Sequence, residues 1–210
     1  MRLFFLGLVS GILLFLLGAC GNERGQTYNH LNGQQSLYLQ HHQDNPINWY
    51  PWGDEPLQKA KAENKLLFIS IGYSSSHFSH VMEEEIFMDK QVADFMNTYF
   101  VSIKIDKEER PDLGSYFSDV YTAINRHSGY PFNIIMLSNG DPVFAGASLS
   151  KMQLLTVLQK IQNSFVLESE KLLERGRHIS ERVQRLRRVP EVYPLLKHFD
   201  DNVRDRLYSR

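Results

Sequence analysis

The sequence predicts an α/β fold in which a central mixed sheet is flanked by helices and followed by a long C-terminal helix. Three nearly continuous apolar runs of strand length, at residues 65–71, 100–105 and 133–137, are typical of buried strands. The segments between these runs carry apolar residues at spacings of three and four, which is the period of a helix. Turn residues at 138–141 (SNGD) and a further apolar run at 142–146 predict a closing hairpin.

The segment before the first strand contains an aromatic-rich region and one helix. Aromatic residues, among them Trp49 and Trp52, surround two prolines without helical or strand periodicity, so we expect an ordered loop there. Residues 55–64 follow as a helix, since Leu57 and Ala60 recur at helical spacing among charged residues.

Four further helices complete the order of elements. Residues 77–87, 91–99 and 112–126 are predicted to form helices between the strands. A long helix begins after Ser150, the expected N-cap, and its apolar period continues to Leu186. The predicted order is helix, strand, helix, helix, strand, helix, strand, strand, helix, which is the order of a thioredoxin fold.

The only cysteine of the chain, Cys20, ends an apolar N-terminal segment. Residues 1–19 combine a positive start, an apolar run shorter than the roughly 20 residues of a spanning helix, and small residues at Gly18 and Ala19. The segment resembles a bacterial lipoprotein signal, which implies cleavage before Cys20 and acylation of its sulfur and amine. Two or three acyl chains hold a protein stably at a membrane.

Two other interpretations of this segment stay open at the level of sequence: an uncleaved anchor helix, and an ordinary signal peptide that is cut elsewhere. All three make the protein extracytoplasmic. Gly21 stands where an inner-membrane lipoprotein of the enterobacterial type carries aspartate, so in a Gram-negative cell we expect the outer membrane, facing the periplasm.

The predicted domain organisation has four parts. They are a lipoprotein signal at 1–19, a lipidated tether at 20–35, a thioredoxin-like domain at 36–166, and a C-terminal helix extension with a tail at 167–210. The formal net charge of −1 gives no indication of nucleic-acid binding. Six arginines crowd residues 175–188, either as a solvated helix end or as a contact for anionic lipid or a partner.

The chemistry of thioredoxin-fold oxidoreductases lies where the first central strand runs into a helix, because the helix end favours a reactive thiolate. The corresponding segment here is 72–82 (GYSSSHFSHVM). Ser76 and Ser79 occupy the two positions of a Cys-x-x-Cys pair. A serine hydroxyl is harder to ionise than a thiol and forms no disulfide, so the sequence predicts no dithiol chemistry by the chain's own residues.

Five motifs in order make a family resemblance specific. They are 36–41 (SLYLQH), 45–53 (NPINWYPWG), 70–74 (SIGYS), 107–112 (KEERPD) and 129–133 (GYPFN). Between about residues 36 and 165 the chain resembles the thioredoxin-like domain of the spermatogenesis-associated thioredoxin family. That family's segment reads GYSTCHWCHVM, so this chain replaces both cysteines and the tryptophan, at Ser76, Ser79 and Phe78.

The resemblance also implies a binding groove. Pro131 matches the position at which thioredoxin folds carry a cis-proline facing the active segment, where redox relatives bind extended substrate chain. The groove residues that we expect are Tyr73, His77, Phe78, His80, Tyr130 and Pro131.

The leading hypothesis is therefore a redox-inactive, lipid-anchored scaffold or assembly factor that binds an envelope protein or peptide and needs no cofactor or metal. One alternative is an extracytoplasmic enzyme of non-redox type. A metal site would use His77 and His80 but needs three or four ligands. A hydrolase would need Ser76 or Ser79 beside a histidine base and an oxyanion hole. Redox chemistry with a partner's thiols is difficult to justify, since exchange needs an attacking thiolate.

Overall fold

A five-stranded mixed sheet lies at the centre of the computed structural model, which describes residues 29–126, 130–147 and 149–187. The strands are β1 (Trp49–Pro51), β2 (Leu66–Gly72), β3 (Phe100–Asp106), β4 (Phe132–Met136) and β5 (Pro142–Gly146). The helices are α1 (Leu37–Gln40), α2 (Asp54–Ala62), α3 (His77–Met82), α4 (Lys90–Tyr99), α5 (Pro111–Asn125), α6 (Lys151–Leu167) and α7 (Ser169–Arg187), with a π-helical turn at Glu83–Phe87.

The sheet has the strand order β1-β3-β2-β4-β5. Strands β1 and β2 pair with β3 in parallel, whereas β4 pairs antiparallel with β2 and β5 pairs antiparallel with β4. This topology confirms the predicted thioredoxin-like fold class, with its terminal hairpin and its long C-terminal helix.

Alternate residues of the central strands enter two separate cores, because successive side chains of a strand point to opposite faces. Leu66 and Phe68 share one core with residues of α1, α4 and α6. Leu67 and Ile69 share the other with residues of α2, α5 and α7. Helices thus cover both faces, which explains why every residue of β2 and β3 is buried.

The structure differs from the prediction in the aromatic-rich region. The expected loop contains β1, in which Tyr50 pairs with Ile103 of β3, and the fully buried Trp49 donates its indole N–H to the Asn45 side-chain oxygen at 3.2 Å. The sequence did not predict this strand, because three residues are too few to show the alternation of apolar and polar side chains that marks a strand. Pro51 is tolerated there because an edge strand leaves one side of its backbone unpaired.

Residues 29–35 are part of the folded region, although the predicted domain boundary lies at Ser36. Leu31 is fully buried in the core. The Asn29 amide donates to the carbonyl oxygens of His42 at 2.8 Å and Ile47 at 3.1 Å. One apolar residue in a polar stretch shows no period, so the sequence could not reveal this packing.

Both ends of the chain lie outside the described residues. The predicted signal at 1–19, the lipidation site Cys20 and the tether as far as residue 28 fall there, as does the predicted tail from residue 188. Within the described part of the chain, no helix combines the length and the apolar character needed to cross a membrane.

The helical region predicted after Ser150 consists of two helices, of which α7 is the long C-terminal helix. Ser150 and Gln153 form a capping box at the start of α6, which confirms the expected N-cap. The helix ends at Glu168, where the backbone leaves the helical region (φ −135°, ψ 42°). Helix α7 then packs against α5 and β5 with Ile179 and Val183 buried, so the described part of the predicted extension packs on the sheet and its helices. Apolar spacing continues through the break, which is why periodicity did not reveal it.

We expect Ser150→Ala to lower the free energy of unfolding by about 1 kcal/mol, because the first turn of α6 loses the hydroxyl that caps it. Urea denaturation with an unchanged m-value measures this difference. Gln159→Ala, an exposed change in the interior of the same helix, is the control and should alter stability by less than about 0.5 kcal/mol. Equal effects of the two variants would contradict a capping role.

Candidate functional site

The segment that replaces the redox motif lies where β2 ends and β4 begins. Ile71 pairs with Phe132, which places Pro131 beside Gly72, the last residue of β2. The Tyr130–Pro131 peptide bond is cis, as the sequence predicts. The structure therefore brings the proline loop and the start of α3 to the same end of the sheet.

Ser76 is the N-cap of α3. Its hydroxyl oxygen accepts a hydrogen bond from the backbone N–H of Ser79 at 3.3 Å, and both serines are almost fully buried. Serine is among the preferred N-cap residues because its oxygen satisfies a free N–H of the first turn. The two positions of a Cys-x-x-Cys pair thus lie at the start of α3, and the first of them serves as the helix cap.

The Ser79 hydroxyl lies in a tight space beneath this turn. A Cβ atom added to Gly72 would lie 2.7 Å from Ser79 Oγ and would also collide with the Tyr38 hydroxyl. Burial raises the pKa of Tyr38, and the neighbouring Ser79 hydroxyl opposes this only in part. Ser79 is therefore buried beside a neutral phenol and a bare glycine.

The exposed surface of α3 is formed by His77, Phe78 and His80. Phe78 is 56% exposed, and its ring lies 5.7 Å from the ring of His77. His80 Nε2 lies 2.8 Å from the Ser74 carbonyl oxygen. A carbonyl can only accept, so Nε2 carries the hydrogen and His80 holds the preceding loop.

Tyr73 and Tyr130 form the wall beside Pro131. Their rings meet edge to face with centroids 6.3 Å apart, and Lys107 Nζ lies 3.8 Å and 4.5 Å from the two centroids. The Tyr130 hydroxyl donates to the Gly114 carbonyl at 3.1 Å, and partial burial raises the pKa of Tyr130. These contacts hold the ring in a defined position.

The predicted groove residues thus form two contact groups at one end of the sheet. His77 contacts Phe78, and Tyr73 contacts Tyr130, but in the described ranges no ring contact joins the two groups. The same part of the chain has no cluster of three or more His, Cys, Asp or Glu side chains arranged to hold a metal ion.

The family model Thioredox_DsbH, described as a protein of unknown function (DUF255), matches residues 28–184. This chain belongs to that family. The family resemblance seen in the motifs is therefore confirmed for the thioredoxin-like domain.

Relatives of this Thioredox_DsbH-family chain include much longer proteins. Human spermatogenesis-associated protein 20 is 35% identical over 158 residues, which are 72% of this chain and 20% of the human protein. An uncharacterized protein of Caenorhabditis elegans is 38% identical over 162 residues, 74% of this chain and 22% of that protein. The chain spans about a fifth of the length of these relatives. A thioredoxin from Thermus thermophilus superposes with a TM-score of 0.47 at 18% identity, covering 57% of this chain and 89% of the thioredoxin.

Behind the groove, the Thioredox_DsbH domain has a buried polar layer that sequence reasoning missed. Lys104 is completely buried in β3, and its Nζ lies 4.3 Å from the Phe87 ring centroid and 4.5 Å from that of Trp49. Among the described residues Nζ has no hydrogen-bond partner. The sequence did contain one indication of this buried charge. Lys104 lies within the apolar run at 100–105, and a buried strand there implies a buried lysine.

Burial shifts the charges of this layer towards neutrality. The pKa of Lys104 is held well below its usual range by burial, which Glu83 opposes. Burial lowers the pKa of His42, and the charge of Lys104 is the second cause of this shift. The Nδ1–H group of His42 donates a hydrogen bond to the Tyr38 carbonyl at 2.9 Å. Burial likewise raises the pKa of Glu83, with Oε2 3.7 Å from His42 Nε2. His42 therefore connects α1, through Tyr38, with the π-helical turn, through Glu83, and the connection does not depend on a fixed ion pair.

We expect Lys104→Met to raise the free energy of unfolding at pH 7 by about 1 to 3 kcal/mol, because burial leaves the Lys104 amino group without a hydrogen-bond partner among the described residues. The folded-state pKa of Lys104 lies below the unfolded value of 10.5, so below pH 10.5 the unfolded chain binds a proton that the folded chain resists. Wild-type stability therefore gains from this group as pH rises, and the advantage of Lys104→Met shrinks towards pH 10.5.

Urea denaturation at several pH values between 7 and 10 measures this difference. Lys61→Met, which removes an exposed lysine of α2, is the matched control and should show a small, pH-independent change. A loss of stability in Lys104→Met at pH 7 would mean that the contacts between the ammonium group and the aromatic rings outweigh the desolvation of the charge.

Proposed function

We propose that this chain binds an extended protein or peptide segment in the groove beside Pro131 and performs no dithiol chemistry. One observation carries the proposal. The two thiol positions are serines engaged in structure, with Ser76 capping α3 and Ser79 buried, whereas Phe78 between them is largely exposed. An exposed aromatic side chain at the position of the missing thiols supports a binding role for this part of the fold.

The cysteine count supports the redox part of the proposal. A chain with Cys20 as its only cysteine has no dithiol pair of its own. Disulfide exchange requires a thiolate on the attacking protein, and a serine hydroxyl does not replace it.

The groove has the chemistry of a peptide site. Phe78 offers an exposed aromatic face, and an apolar partner side chain that covers it gains about 25 cal/mol per Å² of buried apolar surface. Tyr73 and Tyr130 supply amphipathic rings on the other side, of the kind that is enriched at protein interfaces. An extended segment with an apolar side chain near the centre suits this arrangement.

The cellular part of the proposal rests on the N-terminal pattern. Acylation of Cys20 would hold the domain at a bacterial envelope membrane, where we propose a scaffold or assembly role with an envelope protein as partner. An outer-membrane location follows from Gly21 if the cell is Gram-negative.

The described geometry gives a hydrolytic function no support. Within the described ranges, no histidine ring nitrogen is hydrogen-bonded to Ser76 or Ser79. His80 is engaged by the Ser74 carbonyl, and Ser76 by the helix cap. A nucleophile and base would first have to leave these contacts.

We expect the purified protein to reduce insulin no faster than buffer in the presence of dithiothreitol, and the double variant Ser76→Cys/Ser79→Cys to gain this activity. The frame places the two side chains at the start of α3, where the helix end lowers a thiol pKa. Ser115→Cys/Ser164→Cys, with thiols on two separate helices, is the control and should stay inactive. Insulin reduction by the wild-type protein would overturn the redox-inactive assignment.

We expect Phe78→Ala to weaken binding of a fluorescently labelled, permanently unfolded, cysteine-free polypeptide by at least about tenfold, the usual loss at an anchor residue. Fluorescence anisotropy measures the dissociation constants. Met152→Ala removes a side chain on α6 that is 73% exposed, and should leave binding unchanged. Equal affinities of the wild type and Phe78→Ala would contradict the groove. In cells, we expect a photocrosslinking residue at position 78 to capture the partner and one at position 152 to capture none.

A further inference from the structure

Four arginines line a concave surface between α5 and α7. This arginine surface consists of Arg126, Arg175, Arg182 and Arg185, and it holds two adjoining cavities of about 510 and 330 Å³ that share Arg182. Their remaining lining is mostly apolar, contributed by residues such as Ala123, Ile124, Ile179 and Leu186. Cavities of this size fit a small ligand or a headgroup.

The four arginines form no ion pair with a carboxylate among the described residues, and the carboxylates nearest to the surface contact His178, which lines one of the cavities. In the described part of the chain, none of the four guanidinium groups has a carboxylate oxygen within 4.0 Å, whereas Arg187 of the same helix pairs with Asp119 at 3.1 Å. The nearby Glu174 and Glu181 lie 3.6 and 3.7 Å from the ring nitrogens of His178. Four exposed cations around two adjoining cavities produce a field that attracts anions.

A solvated helix end does not account for this arrangement. Cations complement the helix dipole only within the last turn, which contains Arg185. Arg182 and Arg175 lie further back along α7, and Arg126 belongs to the end of a different helix. The four residues therefore have the two adjoining cavities in common, and only Arg126 and Arg185 lie at the end of a helix.

We propose that the arginine surface binds a phosphate-bearing anion. Guanidinium groups bind phosphate through pairs of parallel N–H donors, and several groups around one cavity can engage more than one phosphate oxygen. The apolar floor suits the carbon skeleton that carries the phosphate. Free polyphosphate and the headgroup of an anionic phospholipid share this chemistry.

The arginine surface is independent of the peptide groove. Ile179 and Val183, which lie on the part of α7 that carries Arg182, belong to the core on one face of the sheet, whereas Met82 of α3 belongs to the core on the other face. The protein can therefore hold an anionic ligand and a peptide at the same time, and the failure of one site says nothing about the other.

The test measures two probes with the full-length purified protein. Isothermal titration calorimetry follows tripolyphosphate, and co-sedimentation follows vesicles of phosphatidylglycerol, with phosphatidylcholine vesicles as the uncharged reference. We expect binding of at least one anionic probe, weakened by salt because the contacts are exposed. Tripolyphosphate binding would identify a soluble phosphate compound, and binding to phosphatidylglycerol alone would identify a lipid headgroup.

Arg182→Gln removes the cation that both cavities share, and should weaken binding at least about tenfold, as expected for a charge-assisted contact. Arg177→Gln makes the same charge change on the same helix but on a surface shared with Asp141, Glu170 and Glu174, and should change affinity less than about twofold. Both residues are exposed, so unchanged thermal unfolding verifies the fold. Binding of neither anionic probe, or equal losses in the two variants, would overturn the proposal.

Discussion

The pairing of β2 with β3 on one side and β4 on the other is the constraint on which the site depends. It places Ser70 opposite both Lys104 and Asn133, so a polar row crosses three central strands. The same register ends β2 beside the cis-proline loop. Gly72 is required there because any Cβ would collide with the hydroxyls of the side chains beneath it. The start of α3 and the proline loop are therefore positioned by backbone hydrogen bonds.

Replacement of the thiols is compatible with this frame because serine satisfies its local requirements. Ser76 is a good helix cap, and Ser79 is a small side chain buried beside Gly72 and the Tyr38 hydroxyl. The exchange removes the chemistry while leaving the helix start and the cis peptide bond in place. A surface that binds extended chain does not need a nucleophile, so the loss of chemistry and the retention of shape are consistent with each other.

The two faces of the sheet carry different surfaces. One bears α3 with its exposed phenylalanine, and the other bears α5 and α7 with arginines that form no ion pair within residues 29–126, 130–147 and 149–187. Their separation follows from the alternation of side chains along β2 and β3, since each face recruits its own helices.

The sequence by itself determined the three buried strands, the cap at Ser150 and the absence of a dithiol at Ser76 and Ser79, because periodicity, capping chemistry and residue identity are local properties. Only the tertiary structure decided that 49–51 is an edge strand, that Lys104 is enclosed by aromatic rings, and that the C-terminal helix breaks at Glu168 so that α7 covers β5. Each of these depends on strand pairing or helix packing between residues far apart in the chain, which no local pattern encodes.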